Sequence, residues 1–181
     1  RDLRKIVRTE LNIEGNPIPE FLELVLEVRP DQVTLVPDAP DAITSNAGWD
    51  TLTHRDFLED VISQCQKAGI RTSIFIDPDP QMIRGALETG TDRVELYTEA
   101  YAREYTKSPE KAVKKYTEAA RTAHEIGLGL NAGHDLSLEN IEFFKENVPE
   151  LKEVSIGHAL ICESLYLGLE NVINMYKYKL R

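Results

Sequence analysis

The chain is short of several things, and each shortage excludes a class of protein. No apolar run approaches the ~20 residues that a membrane-spanning helix requires. The opening residues, Arg1-Asp2-Leu3-Arg4-Lys5, lead into no apolar stretch of the kind a secretory signal carries. There are only two cysteines, Cys65 and Cys162, far apart and in no Cys-x-x-Cys or Cys/His spacing. They read as reduced thiols packed as small hydrophobes, which suits a cytoplasmic protein. The sequence has no GxGxxG, no P-loop and no GxSxG. Its four histidines show no His-x3-His or His–carboxylate ligand spacing, so no metal is expected. Basic residues are outnumbered, 21 against 31 acidic, for a net charge of −10. A nucleic-acid or anionic-membrane surface is not expected from that balance. An anionic substrate would have to be held by local groups.

What is present is a regular alternation. With 181 residues, 41% hydrophobic and 29% charged, the composition is that of a globular domain able to bury a core. Strand candidates run over Thr9–Glu14, Gln32–Val36, Thr72–Ile76, Arg93–Tyr97, Gly127–Asn131 and Val154–Gly157. They are short and rich in β-branched and aliphatic residues, which suits strands buried on both faces. Helix candidates fill the gaps: Pro19–Val28, Thr53–Lys67, Pro80–Thr89, Pro109–Ile126, Leu138–Asn147 and Leu160–Tyr178. Ser108 and Pro109 make a helix start. Gly69, Gly90 and Gly127 each stand between a helix and the next strand, where a glycine lets the chain turn sharply. This pattern predicts a parallel α/β fold in one domain over 1–181. Six βα units fall two short of a closed (β/α)8 barrel. Asp2–Val7 reads as a helix tail, so two further units are expected upstream. A six-stranded doubly wound sheet fits the periodicity equally.

In a barrel the chemistry collects at strand C-termini. Glu14 ends the first strand candidate before Gly15, and is either a pocket-facing carboxylate or a solvated loop residue. The long connection from Asp38 to Thr51 holds Thr44, Ser45, Asn46, Gly48 and the single Trp49; it is either a lid or a variable surface loop. Glu95 sits inside an apolar strand, where an unpaired carboxylate costs several kcal/mol. It is either functional or paired with Arg93 or Arg71. The last two strands run into Gly133-His134-Asp135 and Gly157-His158. Barrel phosphate sites often form there, from backbone N–H groups at a helix start, with a histidine placed to move a proton. His54 and His124 read as surface or boundary residues.

Asn12-Ile13-Glu14, Leu35-Val36-Pro37, Ile74-Phe75-Ile76-Asp77, Val94-Glu95-Leu96-Tyr97-Thr98, Leu130-Asn131-Ala132-Gly133-His134 and Ser155-Ile156-Gly157-His158-Ala159-Leu160-Ile161 stand in an order and spacing that resemble the pyridoxine 5′-phosphate synthase family along the whole chain. The resemblance implies a (β/α)8 barrel, with strands three to eight here. It implies condensation of 3-amino-2-oxopropyl phosphate with 1-deoxy-D-xylulose 5-phosphate to pyridoxine 5′-phosphate, phosphate and water. It also implies no metal or organic cofactor, and a cytoplasmic homo-oligomer, typically an octamer. By position, Glu14 resembles the family's general base, His134 its proton donor and Glu95 the acid that stabilises transition-state charge. Thr44, Asp135, Gly157 and His158 match its substrate- and phosphate-binding positions. Asp135 stands where many members carry glycine. The family's amino-terminal Asn-x-Asp-His and His-x-Arg motifs are absent from these residues, so the chain by itself is not expected to be a complete catalyst. Two rival readings are another phosphate-binding barrel lyase or isomerase and an inactive barrel serving as an assembly module. A Schiff-base aldolase would need a strand-tip lysine, and none of the six tips offers one.

Overall fold

The computed structural model describes residues 1–38 and 45–181. After α1 (Asp2–Ile6), strands and helices alternate: β1 (Asn12–Gly15), α2 (Pro19–Val28), β2 (Gln32–Leu35), α3 (Arg55–Lys67), β3 (Arg71–Ile76), α4 (Pro80–Glu88) and β4 (Arg93–Tyr97). Two helices follow, α5 (Glu99–Tyr105) and α6 (Pro109–Glu125). Then come β5 (Gly129–His134), α7 (Ile141–Asn147), β6 (Leu151–Ile156), α8 (His158–Leu167) and α9 (Leu169–Lys179). Gly69, Gly90 and Gly127 all adopt φ near +80°, the left-handed conformation that the helix-to-strand turns require.

The six strands form one parallel sheet in sequential order, β1 to β6. A doubly wound sheet reverses strand order partway, so this order excludes that alternative. Curvature completes the argument. Arg71 on β3 reaches Glu153 on β6 at 3.2 Å, although two strands lie between them. Gln32 on β2 donates to the same carboxylate at 3.2 Å across three intervening strands. Only a sheet curled around these side chains allows both contacts. The six strands are therefore the larger part of a (β/α)8 barrel.

The strands differ from the expected two-faced apolar pattern. One face carries Ile13, Val33, Leu35, Ile74, Ile76, Val94, Leu96, Leu130 and Ala132, which belong to the core cluster shared with the helices. The other face carries polar residues in register: Asn12 beside Gln32 beside Arg71, and Glu14 beside Thr34 beside Ser73. Farther round, Glu95 lies beside Asn131, which lies beside Glu153. The interior is thus a hydrogen-bonded network. Glu153 anchors it, accepting from Gln32, Arg71, Arg93 and Asn131. Arg71 also pairs with Glu10.

Other expectations need correction. A single helix over Leu160–Tyr178 is broken at Gly168 (φ +83°), giving α8 and α9. Helix α5 had no sequence signal beyond its seven residues; it forms around Tyr101, which is fully buried against Phe144 and Tyr116. Ser108 precedes α6 but makes no side-chain capping bond. Cys65 is buried as expected, whereas Cys162 is exposed. Near the end of the chain, Tyr176 is buried while Tyr166 and Tyr178 are exposed. No helix among the described residues is long and apolar enough to cross a membrane.

Candidate active site

The strand tips converge on a pocket of about 360 Å³ lined by Glu14, Glu95, His134, Ser155, Ile156, Gly157 and His158. Five of the seven residues expected at the site are therefore brought together. Asp135 adjoins it through His134. Thr44 lies outside the described residues. A larger groove, about 590 Å³, lies along α9 and reaches α7, but the acid and base lining it, Glu142 and Lys179, are paired at 2.6 Å.

Glu95 occupies the floor. It is 1% exposed, and its Oε2 has no hydrogen-bond partner among the described residues. Burial foremost, then the like charge of Glu14, pushes its pKa up to about 8; hydrogen bonding from Ser155 and Thr34 pulls it back in part. The carboxyl is thus largely protonated at neutral pH and can donate a proton or a hydrogen bond. The alternative of an ion pair with Arg71 or Arg93 is not what the structure holds, because both guanidiniums bind Glu153 instead.

Glu14 retains access to water, yet the surrounding protein still raises its pKa. Desolvation is the main cause. His134 opposes it electrostatically and Asp38 adds to it. A carboxylate of raised pKa beside an imidazole is a pair suited to moving protons.

His134 closes β5 with φ +94°, a left-handed conformation unusual outside glycine and often found at functional sites. Its ring meets Tyr97 edge to face at 5.5 Å and tilts against Phe75 at 6.4 Å. Its Nδ1 lies 3.0 Å from Asp135 Oδ2. Thr98 Oγ1 donates to the Gly133 carbonyl at 2.6 Å and accepts the Asp135 N–H at 3.0 Å. The histidine is therefore bracketed by one hydroxyl.

Gly157 and His158 open α8, so the first turn of that helix borders the pocket. Its free N–H groups and the positive end of the helix dipole lie where an anion could be received. His54 and His124 are both exposed and away from the pocket, as expected. His54 precedes α3 and packs against Trp49.

The connection after β2 is anchored at both described ends. Ser45 donates its hydroxyl to the Asp38 carboxylate, and Asn16 Nδ2 donates to the Asp38 carbonyl at 2.7 Å. Tyr97 OH donates to the Ser45 carbonyl at 3.0 Å. The Trp49 N–H donates to the Phe75 carbonyl at 2.8 Å, and its indole N–H to the Leu35 carbonyl at 3.1 Å. Gly48 crosses so closely over Ile76 and Asp77 that a Cβ would fall on their backbone.

Sequence reasoning missed Ser155, Tyr97 and Thr98. The alternation Glu153-x-Ser155 on a strand, with polar residues facing inward, is the signal that would have found Ser155. Tyr97 and Thr98 carry no such pattern, because their roles depend on a neighbouring strand.

The chain is similar to proteins of known family and fold. Residues 1–181 match the family model described as Pyridoxal phosphate biosynthesis protein PdxJ. The pyridoxine 5′-phosphate synthase of Flavobacterium johnsoniae is 62% identical over 181 residues, covering 100% of this chain and 76% of the relative. That of Christiangramia forsetii is 63% identical over 176 residues, covering 97% of this chain and 74% of the relative. Among solved structures, 3-keto-L-gulonate-6-phosphate decarboxylase from Vibrio cholerae superposes with TM-score 0.63 at 12% identity, covering 94% of this chain and 71% of that one. A mutant tryptophan synthase α-subunit from Pyrococcus furiosus gives 0.62 at 16%, covering 98% and 68%. At those identities the likeness is one of fold. The family match and the sequence relatives go further: the chain belongs to the pyridoxal phosphate biosynthesis protein PdxJ family.

Proposed function

We propose that the chain carries most of the catalytic site of a pyridoxine 5′-phosphate synthase. It condenses 3-amino-2-oxopropyl phosphate with 1-deoxy-D-xylulose 5-phosphate, releasing phosphate and water. The carrying observation is a single pocket in which two carboxyl groups of raised pKa, Glu14 and Glu95, face His134 beside a helix start. The reaction asks for that equipment. An amine adds to a ketone and loses water to an imine, phosphate is eliminated, and hydration, ring closure and two further losses of water give the aromatic ring. Each step moves protons.

In this reading Glu14 takes protons as general base and His134 delivers them. Glu95, protonated at neutral pH, donates a hydrogen bond to oxygen or nitrogen that gains negative charge. The first turn of α8 at Gly157-His158 holds a substrate phosphate through N–H groups, which answers the repulsion of a chain with net charge −10. Asp135 and Thr44 stand at the family's other binding positions.

The test is direct. The full-length protein is incubated with both phosphorylated substrates, and product is followed by chromatography with phosphate release measured in parallel. One pyridoxine 5′-phosphate per elimination phosphate is the expected result. Absence of product from folded full-length protein would overturn the assignment.

A further inference from the structure

Asp135 has polar partners on three sides. Its N–H donates to Thr98 Oγ1 at 3.0 Å, and its carbonyl accepts from Asn140 Nδ2 at 3.3 Å. Its carboxylate Oδ2 lies 3.0 Å from His134 Nδ1. The backbone N–H through which a residue at this position could receive a phosphate is thus already engaged. The remaining carboxylate would repel a phosphate rather than hold it.

We infer that Asp135 is a positioning residue, which fixes the Nδ1–H tautomer of His134 and leaves Nε2 as its proton-exchanging atom. A carboxylate can only accept, so a hydrogen bond of this length requires the proton on Nδ1. Nε2 is then a proton acceptor in the neutral ring and a donor in the charged one. The aromatic neighbours complete the constraint: Tyr97 meets the ring at 89° and Phe75 at 52°. Backbone and side chain act together here. His134 itself makes the turn at the end of β5, with φ +94°. Thr98 holds both ends of that turn.

The inference rests on the proposed acid/base role of His134 for its catalytic consequence, but not for its structural content. The test separates the two. Imidazole ¹⁵N spectra of the full-length protein are recorded in the neutral form at about pH 9, with His134→Gln identifying the His134 signals among the four histidines. The expected wild-type pattern is a protonated Nδ1 and an unprotonated Nε2. In Asp135→Ala the two nitrogens should move toward a tautomer mixture. The same variant should lose about tenfold or more in kcat, the scale of a general acid, with KM changed less than about twofold. An unprotonated Nδ1 in wild type, or a variant whose tautomer is unchanged and whose effect falls on KM alone, would overturn the inference. A fixed tautomer that relaxes in Asp135→Ala, in a protein that makes no pyridoxine 5′-phosphate, would sustain the positioning role and refute the function. Normal turnover with no fixed tautomer would do the reverse.

Discussion

Gly133 lies against the carboxyl of Glu95: a Cβ built at residue 133 would fall on Glu95 Oε1 and press on Ser155. The two residues belong to neighbouring strands, β5 and β4, and share the inward face of the sheet. Glu95 is 1% exposed where it lines the pocket floor, so an added methyl at residue 133 would have to push it from its place. Gly133→Ala should therefore displace the acid from the pocket. Expected are a loss of kcat of about tenfold or more and a destabilisation of ~1–3 kcal/mol, the usual cost of overpacking. Steady-state kinetics and urea unfolding check both. Wild-type kcat in a stable variant would show that the position of Glu95 is not critical.

Burial of Glu95 makes stability depend on pH. Its folded pKa, about 8, lies above the ordinary glutamate value of 4.5. Between those values the folded protein binds a proton that the unfolded chain has lost. Stability from this group is therefore full below about pH 4.5, falls as pH rises toward 8, and levels off above it. Glu95→Gln removes the titration and keeps the shape. The variant should unfold at higher urea than wild type at pH 8.5, with the difference shrinking toward pH 5. Its kcat should drop by an order of magnitude or more. Equal pH profiles for the two proteins would remove the buried acid from the account of stability.

Glu153 controls the charge below the pocket. It accepts from two guanidiniums and two amides and also adds to the repulsion that raises Glu95. In Glu153→Gln, Arg71 and Arg93 lose a shared counter-charge in the barrel interior. These groups are partly accessible to water, so the expected destabilisation is ~1–3 kcal/mol rather than the larger cost of a sealed pair. With one negative charge gone, the Glu95 pKa should fall. A ¹³C-carboxyl titration of Glu95 in the two proteins measures that shift directly, and an unmoved titration would disprove the coupling.

The sequence carried the order of elements and most of the site, because both depend on local signals. Helix α2 begins at Pro19 and ends at Val28 as the apolar spacing predicts. Glu14, Glu95, His134 and Gly157-His158 stood out because a charged or Gly-His residue at a strand end is a local anomaly. The polar lining of the barrel was obscured, because Arg71, Arg93 and Glu153 are ordinary surface residues until curvature brings β2 and β3 opposite β6. The partner of His134 was visible as its neighbour in sequence. Nothing local said that the Asp135 carboxylate would come onto Nδ1. The break at Gly168 failed for the opposite reason: apolar periodicity continues through it, and only the left-handed φ stops the helix.

Tyr116 ties the helical layer to the tip of β4. Its hydroxyl donates to the Tyr97 carbonyl at 2.9 Å and accepts the Tyr101 N–H at 3.2 Å, and its side chain is fully buried. One phenol on α6 thus satisfies a strand end and a helix start that would otherwise be orphaned inside the protein. Tyr116→Phe keeps the ring contacts with Tyr101 and Phe144 but leaves a buried donor and a buried acceptor without this partner. The expected cost is ~1–3 kcal/mol, read as a lower urea midpoint at unchanged m-value. Tyr97 is also the residue whose ring abuts His134 and whose hydroxyl holds Ser45. A lowered kcat should therefore accompany the lost stability, although Tyr116 is not among the residues lining the pocket. Loss of stability with wild-type kcat under fully folded conditions would confine Tyr116 to holding the fold and would show that the tip of β4 keeps its place without it.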